Sequence, residues 1–80
     1  MRSEIDRLDR EITNLLKERF EVAREIGSVK NRQMKVVEDL KRDQVVLENY
    51  KQLASDSLDE QFIEELVSLI LKYSKEVQKK

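Results

Sequence analysis

The chain has no cysteine and no histidine among its 80 residues. Without cysteine there is no disulfide and no thiolate nucleophile. Without histidine there is no Ser-His-Asp triad and none of the usual zinc sites. An enzyme built on this chain works through cations, carboxylates and hydrogen bonds. Proline is absent too, and glycine occurs once, at Gly27. With so few breakers the chain reads as all-helical with very short turns. No apolar run approaches the ~20 residues that span a bilayer. The charged, amphipathic N-terminus is not that of a signal peptide, so a cytoplasmic location is expected. Acidic residues (17) and basic residues (16) nearly cancel, and the basic ones are scattered. Neither nucleic acid nor a membrane surface is therefore an expected partner.

What is present begins with a long amphipathic stretch, Met1 to about Arg32. Ile5, Leu8, Ile12, Leu15, Val22, Ile26 and Val29 fall on alternating steps of three and four. This is an a/d seam sustained for about four heptads. Arg19 occupies a seam position where an apolar residue is due. A helix of ~30 residues is about 45 Å long, whereas a compact domain of this size is only about 30 Å across. The rest of the chain cannot cover such a seam, so a second copy of the helix or another partner is expected on part of it. A plain coiled-coil arm is the simpler reading, and Arg19 argues against it.

Residues 1–80 read as one domain, close to the lower size limit for a single core. Gly27 interrupts the first helix without ending it. It either admits close approach of a backbone or ligand, or is a tolerated weak spot costing about 1 kcal/mol relative to alanine. Residues 31–38 lose the seam and read as a turn. Asp39 is placed to cap a second helix, Leu40 to about Ala54, whose apolar side is Val46, Leu47, Tyr50 and Leu53. After a turn at Ser55-Asp56, the run Ser57-Leu58-Asp59-Glu60 has the form of a capping box with Ser57 as the cap. The third helix then runs to about Val77 or Gln78. Phe62, Leu66, Leu69 and Tyr73 make one stripe; Ile63, Val67, Ile70 and Leu71 make an adjoining one, which ends in Ser74 and Gln78.

Arg19 and Lys30 are eleven residues apart, close to three full turns, so they point the same way about 16 Å apart. Long side chains at those positions can converge on one small anion. Asp39 and Arg42, just past the turn, can fold back towards them. Ser74 and Gln78 can enter from the third helix. The outcome is a cation-rich pocket inside a helical bundle. Arg2 lies about 25 Å along the helix from Arg19 and cannot reach that pocket in its own chain. In an antiparallel pair of first helices it can approach the other chain's pocket, giving two sites per dimer. Each residue also has an ordinary explanation: Arg19 as an ion-pair partner, Asp39 as a cap, Ser74 and Gln78 as polar residues of a fraying turn. Only the combination points to a site.

These residues resemble the all-helical class of chorismate mutase over essentially the whole chain. R-x-x-I-D-x-L-D, from Arg2 to Asp9, is similar to the opening motif of that family. Leu15-Leu16-Lys17-Glu18-Arg19, then Val22-Ala23-x-x-Ile26-Gly27-x-x-Lys30, is similar to its next block. Asp39-x-x-Arg42 resembles the start of the family's second helix, and Ser74-x-x-x-Gln78 the end of its third. Each motif alone is weak; the ordered set at compatible spacing is specific.

The resemblance implies an intertwined homodimer of three-helix protomers, with both first helices contributing to each of two sites. It implies rearrangement of chorismate to prephenate on the way to phenylalanine and tyrosine. That intramolecular Claisen rearrangement needs no nucleophile, proton transfer, metal or cofactor. It needs a dianion held in a compact conformer and support for charge building on the breaking ether oxygen. Carried over by position, Arg19 and Arg2 of the partner subunit bind substrate carboxylates, assisted by Arg42 and Ser74. Lys30 and Gln78 hydrogen-bond the ether oxygen. Asp39, through its backbone, and Asp43 hold the ring hydroxyl.

The sequence departs from the family pattern at three places. Asp43 stands where relatives usually have glutamate, one methylene longer. Arg2 has a single residue ahead of it, where relatives usually have more helix, so it falls in a first turn expected to fray and to bind substrate weakly or order only with ligand. The proline that many relatives carry before the second helix is absent. Two other functions fit the same residues: an isochorismate-pyruvate lyase with a similar cationic pocket, and a non-catalytic domain that senses chorismate or prephenate. A helical dimer with no ligand is the remaining alternative.

Overall fold

The computed structural model describes residues 1–32, 40–54 and 56–79, with side chains at 1–29, 40–54 and 56–79. It consists of three helices: α1 (Arg2–Arg32), α2 (Leu40–Ala54) and α3 (Glu60–Gln78). There is no strand among the described residues, and the fold is all-α, as expected from the sequence. The expected turn over 31–38 is helical in its first two residues, Asn31 and Arg32; its remainder and the Asp39 cap lie outside the described residues.

The start of α3 differs from the expected capping box. The cap is Asp59, not Ser57. Asp59 has extended backbone (φ −60°, ψ 134°), and its carboxylate accepts from the Phe62 amide at 3.2 Å. Ser57 belongs to the preceding turn, where its amide and that of Leu58 both donate to the Ala54 carbonyl, at 3.0 and 2.8 Å. Once those amides close off the end of α2, the next residue free to take cap geometry is Asp59, an equally good cap type.

α3 is the central element. It packs against α1 and against α2, which do not pack against each other among the described residues. Val46 of α2 meets Ile63 and Val67 of α3, with Leu47, Tyr50, Ala54 and Leu71 around them. Full burial of a valine or isoleucine stabilises by about 1.5–3 kcal/mol, so these three residues anchor the α2–α3 pair. Of the two stripes expected on α3, one turns inward: Ile63, Val67, Ile70, Ser74 and Val77 are buried. Phe62, Leu69 and Tyr73, on the other stripe, are largely exposed. Lys51 of α2 reaches Glu64 and Glu60 of α3 at 3.2 and 3.3 Å. Its hydrogen bond to Glu64 first, then that to Glu60, raises its pKa above the ordinary lysine value.

On the α1 side, contact is made by small residues. Ala23 and Gly27 are one turn apart and both buried, so α3 approaches the α1 backbone closely. Phe20 of α1 meets Tyr73 of α3 edge to face, with centroids 4.7 Å apart and an interplanar angle of 83°. Such a pair contributes about 0.5–1.5 kcal/mol beyond its buried area.

The first half of α1 has no such cover. Every residue from Met1 to Leu15 is exposed, including the seam residues Ile5, Leu8, Ile12 and Leu15. The chain measures 48 × 24 × 15 Å with a radius of gyration of 14.6 Å. A compact chain of this length is nearer 12 Å. The difference is the projecting half of α1.

Candidate functional site

Because α1 and α2 flank α3 without touching, a gap is left between them with α3 as its floor. This gap is a cavity of about 420 Å³, within the ordinary range for small-ligand sites. α1 contributes Arg19, Val22, Ala23 and Ile26; α2 contributes Arg42, Asp43 and Val46; α3 contributes Leu71, Ser74, Lys75 and Gln78. The walls are apolar with charged groups set into them. Among the described lining residues, three cations and one carboxylate leave two positive charges facing the space, so this lining suits an anion, and a doubly charged one best.

Arg19 is placed by α3. Its Nη1 donates to Ser74 Oγ at 2.5 Å, while Ser74 donates its own hydrogen to the Ile70 carbonyl at 2.8 Å. Ser74 is almost wholly buried, at 5% exposure. With its one hydrogen committed to the helix, its lone pairs turn to the guanidinium. A hydrogen bond to a charged donor contributes about 1.5–3 kcal/mol, enough to bias a long side chain towards one rotamer. The seam position that is wrong for a core thus faces the cavity.

Gly27 has a specific reason to be glycine. Its backbone is helical, so no unusual conformation requires it. A Cβ there would overlap the Cα, carbonyl oxygen and Cβ of Gln78. Of the alternatives open in the sequence, close approach of a backbone is the one found. The contact fixes the last turn of α3 against α1 and thereby places the Gln78 side chain at the cavity. The Gln78 carboxamide oxygen is buried and accepts no hydrogen bond among the described residues, although the side chain is otherwise engaged.

Asp43 and Lys75 face one another from α2 and α3, with Nζ to Oδ2 at 2.5 Å. Both line the cavity. Lys75 was not singled out in the sequence. The available signal was its spacing: Lys75 lies four residues after Leu71 and so continues the inward side of α3. Of the apolar lining, Val22, Ile26, Val46 and Leu71 were legible only as seam or apolar face, and Ala23 only as part of the family block.

Of the eight site residues expected from the sequence, Arg19, Arg42, Asp43, Ser74 and Gln78 line this one cavity. Arg2 is exposed at the start of α1, at the far end from the cavity. The Lys30 side chain and Asp39 lie outside the described residues. No cluster of ligating side chains that could hold a metal occurs among the described residues. No described helix is long and apolar enough to cross a membrane.

The architecture is therefore that of an all-helical domain with an anion-adapted pocket walled by all three helices. Residues 1–79 match the family model for chorismate mutase type II, and the chain belongs to that family. No curated protein and no solved structure matches it.

Proposed function

We propose that the protein is a chorismate mutase, converting chorismate to prephenate for phenylalanine and tyrosine synthesis, and that the α1–α2–α3 cavity is its active site. The observation that carries this reading is Arg19, held by buried Ser74 at the wall of a cavity whose described lining has two net positive charges, in a chain of the type II family. Chorismate carries two carboxylates. Its rearrangement is unimolecular, so the protein's task is to hold the compact conformer and stabilise charge on the ether oxygen. Holding a reactive conformer and presenting fixed donors are the two ways a site without a nucleophile lowers such a barrier.

In this reading Arg19 binds one carboxylate, since a guanidinium fork matches carboxylate geometry. Arg42 assists from α2, and Ser74 acts by fixing Arg19. Gln78 and Lys30 donate to the ether oxygen. Removing one such donor costs about 3–4 kcal/mol of barrier. Asp43 accepts from the ring hydroxyl, a role the family resemblance also gives to the Asp39 backbone.

The functional unit is a homodimer. The exposed seam of Ile5, Leu8, Ile12 and Leu15 is an apolar stripe that water does not favour, and an antiparallel second α1 covers it. That packing brings Arg2 of the partner subunit to the cavity and gives two sites per dimer. The domain spans 1–80, and the setting is cytoplasmic.

The test is substrate choice. Purified protein is given chorismate and isochorismate separately, and products are identified by NMR. Prephenate from chorismate, with isochorismate inert, is the expected result. Release of pyruvate from isochorismate alone would make the protein a lyase. Binding of chorismate without turnover would make it a sensor.

A further inference from the structure

The Asp43–Lys75 pair is unlike the other ion pairs among the described residues. Arg7–Glu11 is exposed on one helix, and Lys51 meets glutamates whose side chains are at least half exposed. Asp43 and Lys75 join two helices, their side chains are 22% and 23% exposed, and both stand in the cavity wall. Partly buried pairs are screened by salt far less than exposed ones.

The cavity's charge gives the pair its use. Its lining has one carboxylate among the described residues, Asp43, in a space whose other described charges favour an anion. A bare carboxylate there would repel a dianionic ligand. Paired with an ammonium on one oxygen, the same group is neutral as a unit, yet its other oxygen keeps lone pairs for a hydroxyl donor. The aspartate is also short, with two side-chain torsions. A partner reaching from α3 selects one orientation of the carboxylate that α2 alone does not fix. This argument rests on the chorismate reading, in which Asp43 receives the ring hydroxyl.

We propose that Lys75 is a positioning residue: it neutralises and orients Asp43, so that the carboxylate reads the substrate's ring hydroxyl without opposing its two negative charges. Lys75 acts through Asp43 and makes no direct bond to substrate.

The test uses the full chain with Lys75→Gln, Lys75→Arg, Asp43→Asn and the Asp43→Asn/Lys75→Gln double variant. KM and kcat are measured for chorismate and for an analogue lacking the ring hydroxyl, with thermal unfolding alongside. K75Q is expected to raise KM for chorismate about tenfold while kcat changes less than about threefold, the size of one charge-assisted hydrogen bond lost from ground-state and transition-state binding alike. Lys75→Arg should restore most of the loss. The effect should shrink to less than about twofold with the analogue and in the Asp43→Asn background, the non-additivity of residues acting as a unit. Four results would overturn the proposal: an unchanged KM in K75Q, an equal loss on both substrates, a loss that persists undiminished beside Asp43→Asn, or no recovery with arginine. The third would make Lys75 a direct carboxylate binder. Wild-type protein that neither binds nor turns over chorismate overturns the chorismate reading and this proposal together. Wild-type turnover with K75Q indistinguishable from it overturns this proposal alone.

Discussion

Replacing Gly27 with alanine tests the packing and the site at once. In an isolated helix the change would help, since alanine is favoured over glycine in helix interiors by about 1 kcal/mol. Here the new Cβ lands on the Gln78 backbone, within 2.5 Å of its carbonyl oxygen, where about 3.5–4.0 Å is the comfortable separation between carbon atoms. Backbone cannot rotate out of the way as a side chain can. The last turn of α3 must therefore move by about 1 Å, or α1 must bend. Overpacking of this kind costs about 1–3 kcal/mol. With backbone on the receiving side, the upper part of that range applies, and the propensity gain offsets only part of it. The net expectation is a destabilisation of about 1–2 kcal/mol, lowering Tm by about 4–8 °C per kcal/mol for a domain of this size. The displacement falls on Gln78, the proposed ether-oxygen donor, so turnover should suffer more than stability: a 1 Å misplacement of a catalytic group can cost about a hundredfold. Thermal unfolding at fixed protein concentration and chorismate turnover are the assays. A Gly27→Ala protein that is more stable than wild type and equally active would refute the reasoning, because the close α1–α3 contact would then not exist in solution.

Two further predictions follow from other parts of the molecule. If each site takes Arg2 from one chain and Arg19 from the other, then Arg2→Ala and Arg19→Ala proteins, each nearly inactive alone, should recover about a quarter of wild-type activity after mixing and subunit exchange, because half the dimers are mixed and each has one intact site; no recovery despite demonstrated exchange would place both arginines in one chain's site or Arg2 in none. Lys51 has a raised pKa in the folded state, so its pairing stabilises the fold fully below the unfolded lysine value of about 10.4 and the contribution is lost as pH rises through the higher folded value. The gap in urea midpoint between wild type and Lys51→Met should accordingly be present at neutral pH and close in strong alkali; a gap that widens with pH would reverse the sign.

The helices were largely legible because the chain lacks breakers, and α2 spans the Leu40–Ala54 expected for it. The start of α3 was misplaced by two residues because Ser57 and Asp59 are both good caps, and only the turn's own hydrogen bonds to Ala54 decide between them. The place of Arg19 in the cavity lining was legible because a guanidinium on an apolar seam needs an explanation, and that of Ser74 and Gln78 because they end an apolar face in polar groups. Lys75 was not. It lies among Lys72, Lys79 and Lys80, and a lysine near a helix C-terminus ordinarily serves the dipole and the solvent. What distinguishes it is Asp43, 32 residues away, and no local pattern reveals such a pairing. Gly27 stood undecided for the same reason, since its neighbour is the far end of the chain.

The most direct test of the central claim is the conversion of chorismate to prephenate by the intact protein beside its Arg19→Ala variant, with folding of both checked by circular dichroism. Turnover by the intact protein, reduced by at least about a hundredfold in a folded variant, is the expected outcome. Equal turnover by the two proteins, or none by the intact protein, would contradict a chorismate mutase site built around Arg19.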